Sequence, residues 1–339
     1  MTDIAIVGAG FMGATHLGAY QRMDDVRVTA VVNRGEEKGR ALAEKAGCGW
    51  YADIASMLSE CGGETDVIDI CLPTYLHRES TVEAAKAGKH VFCEKPAALS
   101  LEDYRQMVKT CEENGVTLSV GHVIRYWPEY AYAREMLKNG EFGALKYARA
   151  TRMSCVSKRA RDGGWFTRPE RSGGGLLDLH IHDVDYLISI FGELSSVYAV
   201  GSQNTDGSWS YICSSLTFKS GLGAVAEGIS QMPSGFPFAM ELNIVGESRA
   251  LCYRMGAGEN LYDVNSASRI TRVYSNSEEP RTVCTEHPDA YYLELRDFVD
   301  HVKSKTPLTA VTTADVEYTL KVMLAIRDSL ESGKIIEIE

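Results

Sequence analysis

The sequence lacks several features that mark particular classes of protein. Its 339 residues contain no basic run, no CxxC pair and no apolar run of membrane-spanning length. The net charge of −11 argues against a nucleic-acid partner, and without a basic run a membrane surface is not favoured. The nine cysteines are scattered and odd in number, which is typical of a reduced, intracellular protein. The start, MTDIAIVGAG, has no basic segment before its apolar residues, so it predicts a strand rather than a signal peptide, and we expect a cytoplasmic protein.

The length favours two domains. The first 121 residues have one repeating pattern of apolar and polar residues. Short apolar runs alternate with amphipathic stretches, which predicts a parallel sheet covered on both faces by helices. The predicted strands are Ile4–Val7, Val26–Val32, Asp66–Cys71, His90–Cys93 and Thr117–Val120. The predicted helices are Ala14–Arg22, Glu36–Ala46, Arg78–Ala87 and Leu101–Glu113. We therefore expect residues 1–121 to form a dinucleotide-binding Rossmann domain.

Residues 122–339 have a different pattern, which predicts an α+β domain. A helix is expected over Pro128–Lys138 and a strand over Leu145–Met153. Consecutive strands with little helix between them follow from Ser195 to about Tyr274, which predicts a large, mostly antiparallel open sheet. We expect two helices to close the chain, and the terminal helix can pack back on the first domain.

The stretch GAGFMG, from Gly8 to Gly13, is a GxGxxG motif. It follows a predicted strand and opens a predicted helix, which is the context in which this motif binds a dinucleotide. Gly8 permits the tight turn, Gly10 the approach to the pyrophosphate, and Gly13 the close packing of helix on strand. Phe11 and Met12 complete the loop, whose helix N-terminus is expected to face the phosphates.

The position about 20 residues past the last glycine distinguishes NAD from NADP. Asn33 occupies it and Arg34 follows. Asparagine does not repel a 2′-phosphate as a carboxylate would, and Arg34 can pair with that phosphate bidentately. The pattern favours NADP over NAD. The alternative is that Asn33 bonds the ribose hydroxyls of NAD while Arg34 is solvated.

Five motifs occur in a fixed order and together resemble the Gfo/Idh/MocA family of NAD(P)-dependent oxidoreductases, which includes inositol and sugar dehydrogenases. They are GAGFMG, CLPTYLH from Cys71, GKHVFCEKP from Gly88, GHVIRYWPEY from Gly121 and GGGLLDLHIHDVD from Gly173. The resemblance covers nearly the whole chain. Its most distinctive marks are the EKP tripeptide and the D-x-x-x-H spacing after the glycines.

The resemblance implies a catalytic set of Lys95, Asp178 and His182, with Lys95 contacting the reacting oxygen. It also implies that the Lys95–Pro96 peptide is cis, as is often the case in the family. The matching segments add cofactor contacts to those of the glycine loop and of Asn33 and Arg34, namely Leu72, Pro73, His77, Glu94 and Lys95.

The spacing of the last motif assigns its residues to two faces of a helix. If residues 174–190 are helical, Asp178, His182 and Asp185 lie on one polar stripe, beside an apolar stripe of Leu177, Ile181, Val184 and Ile188. We expect neutral His182 to act as the base, because the pKa of an unperturbed histidine is about 6.5. Asp178 would orient the imidazole or a neighbouring hydroxyl, and the Lys95 ammonium would stabilise the developing alkoxide. The alternative is that Asp178 and His182 are a structural hydrogen-bonded pair.

Three further residues are candidates for substrate binding. Arg125 either binds substrate hydroxyls or holds the domain junction, and Trp165 either lines the pocket or packs. His180 departs from the small residue usual in the family; it either shapes the pocket or packs against Asp183. We expect no metal, because helical spacing separates the two histidines of HxH and hydride transfer needs none.

The sequence thus predicts an NAD(P)-dependent dehydrogenase that interconverts a secondary alcohol and a ketone on a cyclic polyol, sugar or sugar derivative. One alternative is a redox-neutral enzyme that uses bound nucleotide to cleave a glycoside. A weaker alternative is a non-catalytic dinucleotide sensor, which has no need of Lys95, Asp178 and His182 together. The resemblance also implies a homodimer or homotetramer formed through the sheet of the second domain.

Overall fold

The computed structural model describes residues 1–155, 164–258, 267–285, 288–308 and 310–339. The chain divides into two compact units. The first comprises Met1–Tyr126 and Pro288–Glu317, and the second Trp127–His287 and Tyr318–Glu339. The sequence analysis places one boundary after residue 121, whereas the chain enters the first unit a second time at Pro288.

The first segment of unit 1 alternates strands and helices. Its strands are β1 (Thr2–Val7), β2 (Val26–Val32), β3 (Gly49–Tyr51), β4 (Val67–Ile70), β5 (His90–Glu94) and β6 (Leu118–Gly121). Its helices are α1 (Phe11–Tyr20), α2 (Glu36–Ala46), α3 (Ile54–Cys61), α4 (His77–Lys86) and α5 (Leu101–Glu113), with 3-10 turns at Gly62–Glu64, Thr74–Leu76 and Val123–Tyr126. Among the described residues the six strands form one parallel sheet in the order β3-β2-β1-β4-β5-β6. The predicted doubly wound parallel sheet is confirmed.

Local signals explain several helix boundaries in this unit. Asp53 caps α3 by accepting from the Ser56 amide, and Ser100 caps α5 by accepting from the Asp103 amide. Gly47 ends α2 in the left-handed conformation. The sequence analysis did not predict β3 or α3. The three residues of β3 are too few to show a periodic pattern.

The second unit begins with α6 (Pro128–Lys138) and β7 (Leu145–Met153). After a 3-10 turn at Trp165–Thr167, a short helical turn at Pro169–Ser172 and a π-helical turn at Leu176–His180, α7 covers Ile181–Phe191. The strands that follow are β8 (Leu194–Gln203), β9 (Trp209–Phe218), β10 (Gly223–Ile229), β11 (Ala239–Gly246), β12 (Arg249–Gly256), β13 (Ser268–Ser275) and β14 (Arg281–Val283). The chain then returns to the first unit with α8 (Ala290–Ser304) and the start of α9 (Thr313–Ser332). It ends in the second unit with the rest of α9 and β15 (Ile336–Glu337). Part of the predicted strand region, residues 259–266, lies outside the described residues.

The described strands of the second unit form a nine-stranded sheet in the order β14-β13-β12-β11-β7-β10-β9-β8-β15. All of its pairs are antiparallel except β7 with β10. The predicted large, mostly antiparallel sheet is confirmed.

One face of the nine-stranded sheet carries exposed apolar and aromatic side chains. The pairing register puts Tyr198, Ser215, Val225, Arg149, Asn243, Cys252 and Arg272 in one row across the sheet. Because alternate residues share a face, the large exposed hydrophobic residues of the sheet all lie on the face of this row. We call it the open face; it presents Tyr147, Tyr198, Val200, Tyr211, Ile270 and Tyr274.

Helix α8 belongs to the first unit because its apolar residues complete that unit's core. Leu295, Phe298 and Val299 are fully buried in one cluster with residues of β1 and α1 such as Ile6 and Leu17. A helix that buries this much apolar surface against a sheet is held there by the hydrophobic effect, whatever its distance along the chain. No helix in the described part of the chain is both long and apolar enough to cross a membrane.

Two glycines of the first loop allow α1 to approach the sheet closely. Gly8 has φ +114°, and a Cβ atom there would lie 2.4 Å from the Cys71 carbonyl oxygen. A Cβ atom on Gly13 would lie 2.0 Å from the Gly8 carbonyl oxygen. Both positions therefore require glycine.

We expect Gly13→Ala to lower the free energy of unfolding by about 1–3 kcal/mol, because the new methyl group forces α1 away from β1. Gly18→Ala is the matched control on the same helix, since a Cβ atom there meets nothing within 4 Å. The control should raise the free energy of unfolding by roughly 0.5–1 kcal/mol. Urea unfolding of both variants measures the difference, and a Gly13→Ala protein as stable as the wild type would contradict this account of the loop.

Candidate active site

The described residues contain two groups of candidate site residues, one in each unit. In the first unit, the parallel register aligns the ends of three strands, since Val7 pairs with Ile70 and Ile70 with Cys93. The glycine loop follows β1 and the Glu94–Lys95 turn follows β5. Both therefore lie at the carboxyl edge of the same sheet, where open α/β sheets bind ligands.

The glycine loop fits a dinucleotide pyrophosphate. Gly10 is the N-cap of α1, and a Cβ atom there would meet nothing within 4 Å, so the loop is open at this point. The described first turn of α1 contains no acidic residue, and no side chain caps it. Its partial positive charge is therefore available to an anion. Phe11 is exposed and Met12 half-buried at the same helix end.

Asn33 connects the end of β2 to the glycine loop. Its Oδ1 accepts from the Ala9 amide at 3.1 Å, and its Nδ2 donates to the Gly35 carbonyl at 2.7 Å. Trp50 donates from Nε1 to the Asn33 carbonyl at 3.0 Å. Arg34 is exposed directly beside this turn.

His77 links the segments that follow two neighbouring strands. Its Nε2 lies 2.8 Å from the Leu72 carbonyl oxygen and its Nδ1 3.0 Å from the Pro96 carbonyl oxygen. Burial lowers the pKa of His77, partly offset by these two carbonyls, so the neutral ring donates to only one of them at a time. The ring is buried, and both of its nitrogens face main-chain atoms. Its observed contacts therefore hold the loop of Leu72 and Pro73 to Pro96.

The Glu94–Lys95–Pro96 turn has well-defined contacts. The Lys95–Pro96 peptide is cis, as the resemblance implies. Glu94 is buried; its Oε1 lies 3.1 Å from His16 Nε2, and its Oε2 accepts from the Lys95 amide at 3.1 Å. Both carboxylate oxygens of Glu94 thus have partners within the protein, and Lys95 itself is half-buried.

A buried polar cluster surrounds His16 on α1. His16 Nδ1 lies 2.8 Å from Asp69 Oδ2 on β4, and Tyr20 donates to the same oxygen at 3.0 Å. Cys71 Sγ lies 3.3 Å from His16 Nδ1. Burial lowers the pKa of His16, but Asp69 and Cys71 raise it more, so its pKa is well above the usual value. His16 is therefore an imidazolium that bridges two carboxylates.

Donor atoms of His16, Asp69 and Cys71 lie within 4.8 Å of one another, a spacing that a metal ion can also bridge. Both ring nitrogens of His16 already contact carboxylates, so hydrogen bonding accounts for this cluster without an ion.

The sequence analysis missed His16 and Asp69. A signal was present in each case. Asp69 interrupts the otherwise apolar strand Val67–Ile70, and His16 lies on the helix that opens at the glycine loop. A charged residue in a continuous apolar strand predicts a buried partner of opposite charge, because an unpaired buried charge is costly.

In the second unit, the glycines before the site helix pack against its own sheet. A Cβ atom on Gly175 would lie 2.4 Å from Ser230 Oγ and 2.8 Å from the Trp209 carbonyl oxygen. Gly173 and Gly174 have φ values of +77° and +63°. These glycines bring the segment onto β9 and the end of β10.

The predicted polar stripe is only partly correct. Asp178 lies in the π-helical turn and His182 in the first turn of α7, and both are half-buried. Asp185 is fully buried and accepts from Thr319 Oγ1 at 2.9 Å, so it anchors α9 instead of sharing an open face with them. The wider π turn changes the angular spacing that a regular helix would give. The predicted apolar stripe of Leu177, Ile181, Val184 and Ile188 is buried.

A buried ion pair anchors this helix to the sheet. Arg152 on β7 donates from Nε and Nη2 to the two oxygens of Asp183, each at 3.0 Å. Both side chains are almost fully buried. A bidentate pair of this kind fixes direction as well as distance, so it orients the turn that carries Asp178 and His182.

His180 is positioned away from its predicted roles. It is fully buried, its Nε2 lies 2.8 Å from Ser214 Oγ on β9, and a Cβ atom on Gly228 would lie 2.8 Å from its Nδ1. Burial lowers the pKa of His180 to about 3, so the ring is neutral. It packs on the sheet and not against Asp183, and a fully buried ring offers no surface to a substrate.

Arg125 has the structural role that the sequence analysis left open. It is buried in the first unit, where it donates from Nη1 to the Ala310 carbonyl at 2.7 Å and contacts Asp315. The predicted contact with substrate hydroxyls is therefore corrected. Trp165 is half-buried, with its ring edge-on to Phe166.

The chain matches two sequence profiles of known protein families. Residues 2–122 match one described as an oxidoreductase family with an NAD-binding Rossmann fold. Residues 130–251 match one described as the GFO/IDH/MocA C-terminal domain. The two matches together cover well over half of the chain.

Individual relatives differ in identity and coverage. A 2,7-anhydro-N-acetylneuraminate hydratase of Escherichia coli is 35% identical over 203 residues, which are 57% of this chain and 50% of the relative. The chain thus spans about half of that relative's length. A myo-inositol 2-dehydrogenase of Thermotoga maritima is 28% identical over 99% of this chain and 98% of its own. The solved structure of levoglucosan dehydrogenase in complex with NADH has the same fold, with a TM-score of 0.87, 21% identity and coverage of 100% and 99% of the two chains.

Proposed function

The chain belongs to the GFO/IDH/MocA family of oxidoreductases, and from this premise we propose that it is a nicotinamide-dependent dehydrogenase. It interconverts a secondary alcohol and a ketone on a cyclic polyol, sugar or sugar derivative. One observation carries the proposal: the glycine loop and Lys95 follow strands whose ends are in register at one sheet edge. A dinucleotide loop and a single ammonium at the same edge suit hydride transfer at a carbon that bears oxygen.

The proposed roles use the chemistry of three side chains. The Lys95 ammonium donates to the reacting oxygen and stabilises the negative charge that develops there. His182 accepts the hydroxyl proton in oxidation and returns it in reduction, and Asp178 orients the imidazole or a substrate hydroxyl. The nicotinamide, when bound, supplies the hydride acceptor or donor. Trp165 is retained as a candidate substrate contact, because its indole is half-buried and an aromatic face suits a sugar ring.

The test of this function is a screen of polyols, sugars, sugar acids and glycosides with each nucleotide, following the absorbance of the reduced nicotinamide. A dehydrogenase forms reduced nucleotide in proportion to product. A redox-neutral enzyme converts substrate without accumulating reduced nucleotide. One relative is named a hydratase, a name that describes a reaction with water, so this second candidate belongs in the screen. A regulatory protein would bind nucleotide and turn over nothing.

We expect Lys95→Ala and His182→Ala each to lower kcat by about 10²–10⁴-fold, the usual contribution of a positioned acid, base or charge. Nucleotide Kd should change by less than about tenfold, because the glycine loop, Asn33 and Arg34 keep their contacts in both variants even though Lys95 is itself a proposed nucleotide contact. Lys86→Ala removes an exposed lysine from α4 and serves as the control. Near-normal kcat in both site variants would refute the catalytic assignment.

NADP is the proposed cofactor in preference to NAD. Arg34 is exposed beside the end of β2, and the Asn33 amide carries no charge to repel a phosphate. The remaining proposed contacts are the glycine loop with Phe11 and Met12, and Leu72, Pro73, His77, Glu94 and Lys95 at the neighbouring strand ends. The side chains of His77 and Glu94 are buried, so these two residues would act by holding the segments that reach the nucleotide.

Arg34→Ala should weaken NADP binding by about 10- to 100-fold, which is the loss of a charge-assisted contact, and leave NAD binding nearly unchanged. Lys38→Ala removes an exposed charge from the same region and controls for general electrostatics. Fluorescence titration with each nucleotide gives the Kd values. Equal effects of Arg34→Ala on both nucleotides would instead favour NAD, with Arg34 solvated.

We further propose a homodimer or homotetramer that buries the open face, whose exposed aromatic residues are unusual for a surface in water. Tyr198→Glu combined with Tyr274→Glu should yield single chains in sedimentation velocity experiments. Ala55→Glu, at an exposed position on α3 of the first unit, should leave the assembly intact. Wild-type protein that sediments as one chain at micromolar concentration would exclude the proposal.

Cytoplasmic localisation is also proposed, because no disulfide joins the cysteines within the described residues, as expected in a reducing compartment. Recovery in a secreted fraction would exclude it.

A further inference from the structure

His16 lies buried between the carboxylates of Asp69 and Glu94, and neither the sequence analysis nor the proposed mechanism uses it. We propose that His16 is a positioning residue for Lys95: it holds Glu94, and Glu94 holds the Lys95 main chain. The inference rests on the proposed function only in that Lys95 is taken as the group that contacts the reacting oxygen.

The first step of the argument is the direction of the hydrogen bonds. A histidine that contacts a carboxylate at each ring nitrogen donates from both nitrogens. His16 therefore carries a positive charge in the folded protein. Burial raises the pKa of Glu94, but the hydrogen bond and the charge of His16 lower it more, so this carboxyl is ionised. The contact is a charge-assisted hydrogen bond, stronger and more directional than a neutral one.

The second step is the link from Glu94 to Lys95. Glu94 is the last residue of β5, and its second oxygen accepts from the Lys95 amide at 3.1 Å. A carboxylate held at Oε1 by His16 cannot rotate without breaking the contact at Oε2. The orientation of the imidazolium is thus transmitted to the main chain from which the Lys95 side chain departs.

The third step is that His16 itself has little freedom to move. Asp69 on β4 accepts from its other nitrogen and also from Tyr20. The ring packs edge-on to Phe92 of β5, at 5.6 Å between centroids, and lies 6.3 Å from the Tyr291 ring of α8. Contacts from α1, β4, β5 and α8 therefore confine the imidazole.

Stability alone does not explain the cluster. A buried group of charges generally stabilises a fold no more than well-packed apolar residues of the same volume would. The cluster does provide one thing that apolar residues cannot, which is directional hydrogen bonding to Glu94. Its position next to the Lys95 amide makes orientation of Lys95 the function that accounts for its presence.

A double-mutant cycle tests the proposal. We would measure kcat for the substrate found in the screen, together with nucleotide Kd, in the wild type, His16→Asn, Lys95→Ala and the double variant. If His16 acts through Lys95, His16→Asn lowers kcat by about 10- to 100-fold alone, as expected for a misplaced group. In the Lys95→Ala background it lowers kcat by no more than about twofold. In each background, His16→Asn changes nucleotide Kd by no more than about threefold.

Tyr20→Phe is the matched control. It removes one hydrogen bond from Asp69 in the same cluster but leaves the Glu94 and Lys95 contacts intact. It should lower the melting temperature without lowering kcat. Should His16→Asn fail to fold, Glu94→Gln replaces it in the cycle, since it weakens the same link with little change of volume.

A loss of kcat by the same factor with and without Lys95 would overturn the proposal, because His16 would then act on stability or on another group. An unchanged kcat in both His16→Asn and Glu94→Gln would also overturn it. Crystal structures of these variants give a readout independent of turnover. The proposal requires the Glu94 carboxylate to rotate away from the Lys95 amide in His16→Asn, and an undisturbed turn would refute it.

Failure of the proposed function has a different signature. The wild type would then transfer no hydride with any polyol or sugar, or Lys95→Ala would be fully active. In either case the crystal structures alone decide whether His16 holds the turn.

Discussion

The close approach of α1 to the first sheet is the constraint on which the candidate site of that unit depends. It is possible because Gly8 and Gly13 have no Cβ atom; a Cβ atom at either position would lie much closer to a carbonyl oxygen than van der Waals contact allows. The same approach brings His16 against β4 and β5, where Asp69 and Glu94 accept its hydrogen bonds. A short loop thus has two consequences: an open helix N-terminus for an anion, and a buried cation behind the Glu94–Lys95 turn.

Each unit uses a buried ion pair next to its candidate catalytic residues. His16 with Glu94 does this in the first unit, and Arg152 with Asp183 in the second. Charges buried in this way add little net stability, because desolvation offsets most of their attraction. Their hydrogen bonds are directional, and in both units the bonded carboxylate lies within one or two residues of a candidate catalytic side chain. Orientation is the physical property that the two pairs share.

Prediction succeeded where a pattern was long and failed where a side chain had two possible environments. The bounds of α2, α5, α6 and β7 agree with the structure, because ten or so residues of amphipathic or alternating character define a face. Arg125 and His180 were candidates for substrate binding because each is a polar residue within or next to a family motif. The structure buries both, one on the Ala310 carbonyl and the other on Ser214. Asp185 is a similar case, since helical spacing does not reveal a partner such as Thr319 more than one hundred residues away.

The sequence by itself determined the two-part architecture, the glycine loop and the residue types available for chemistry, because these follow from local patterns of size, polarity and conformational freedom. Only the tertiary structure decided which polar residues are held inside and which remain accessible. That choice depends on partners supplied by distant segments, such as Asp69 and Glu94 for His16 or Arg152 for Asp183. The charge state and direction of a buried group are set by the groups that fold around it, and no local stretch of sequence contains them.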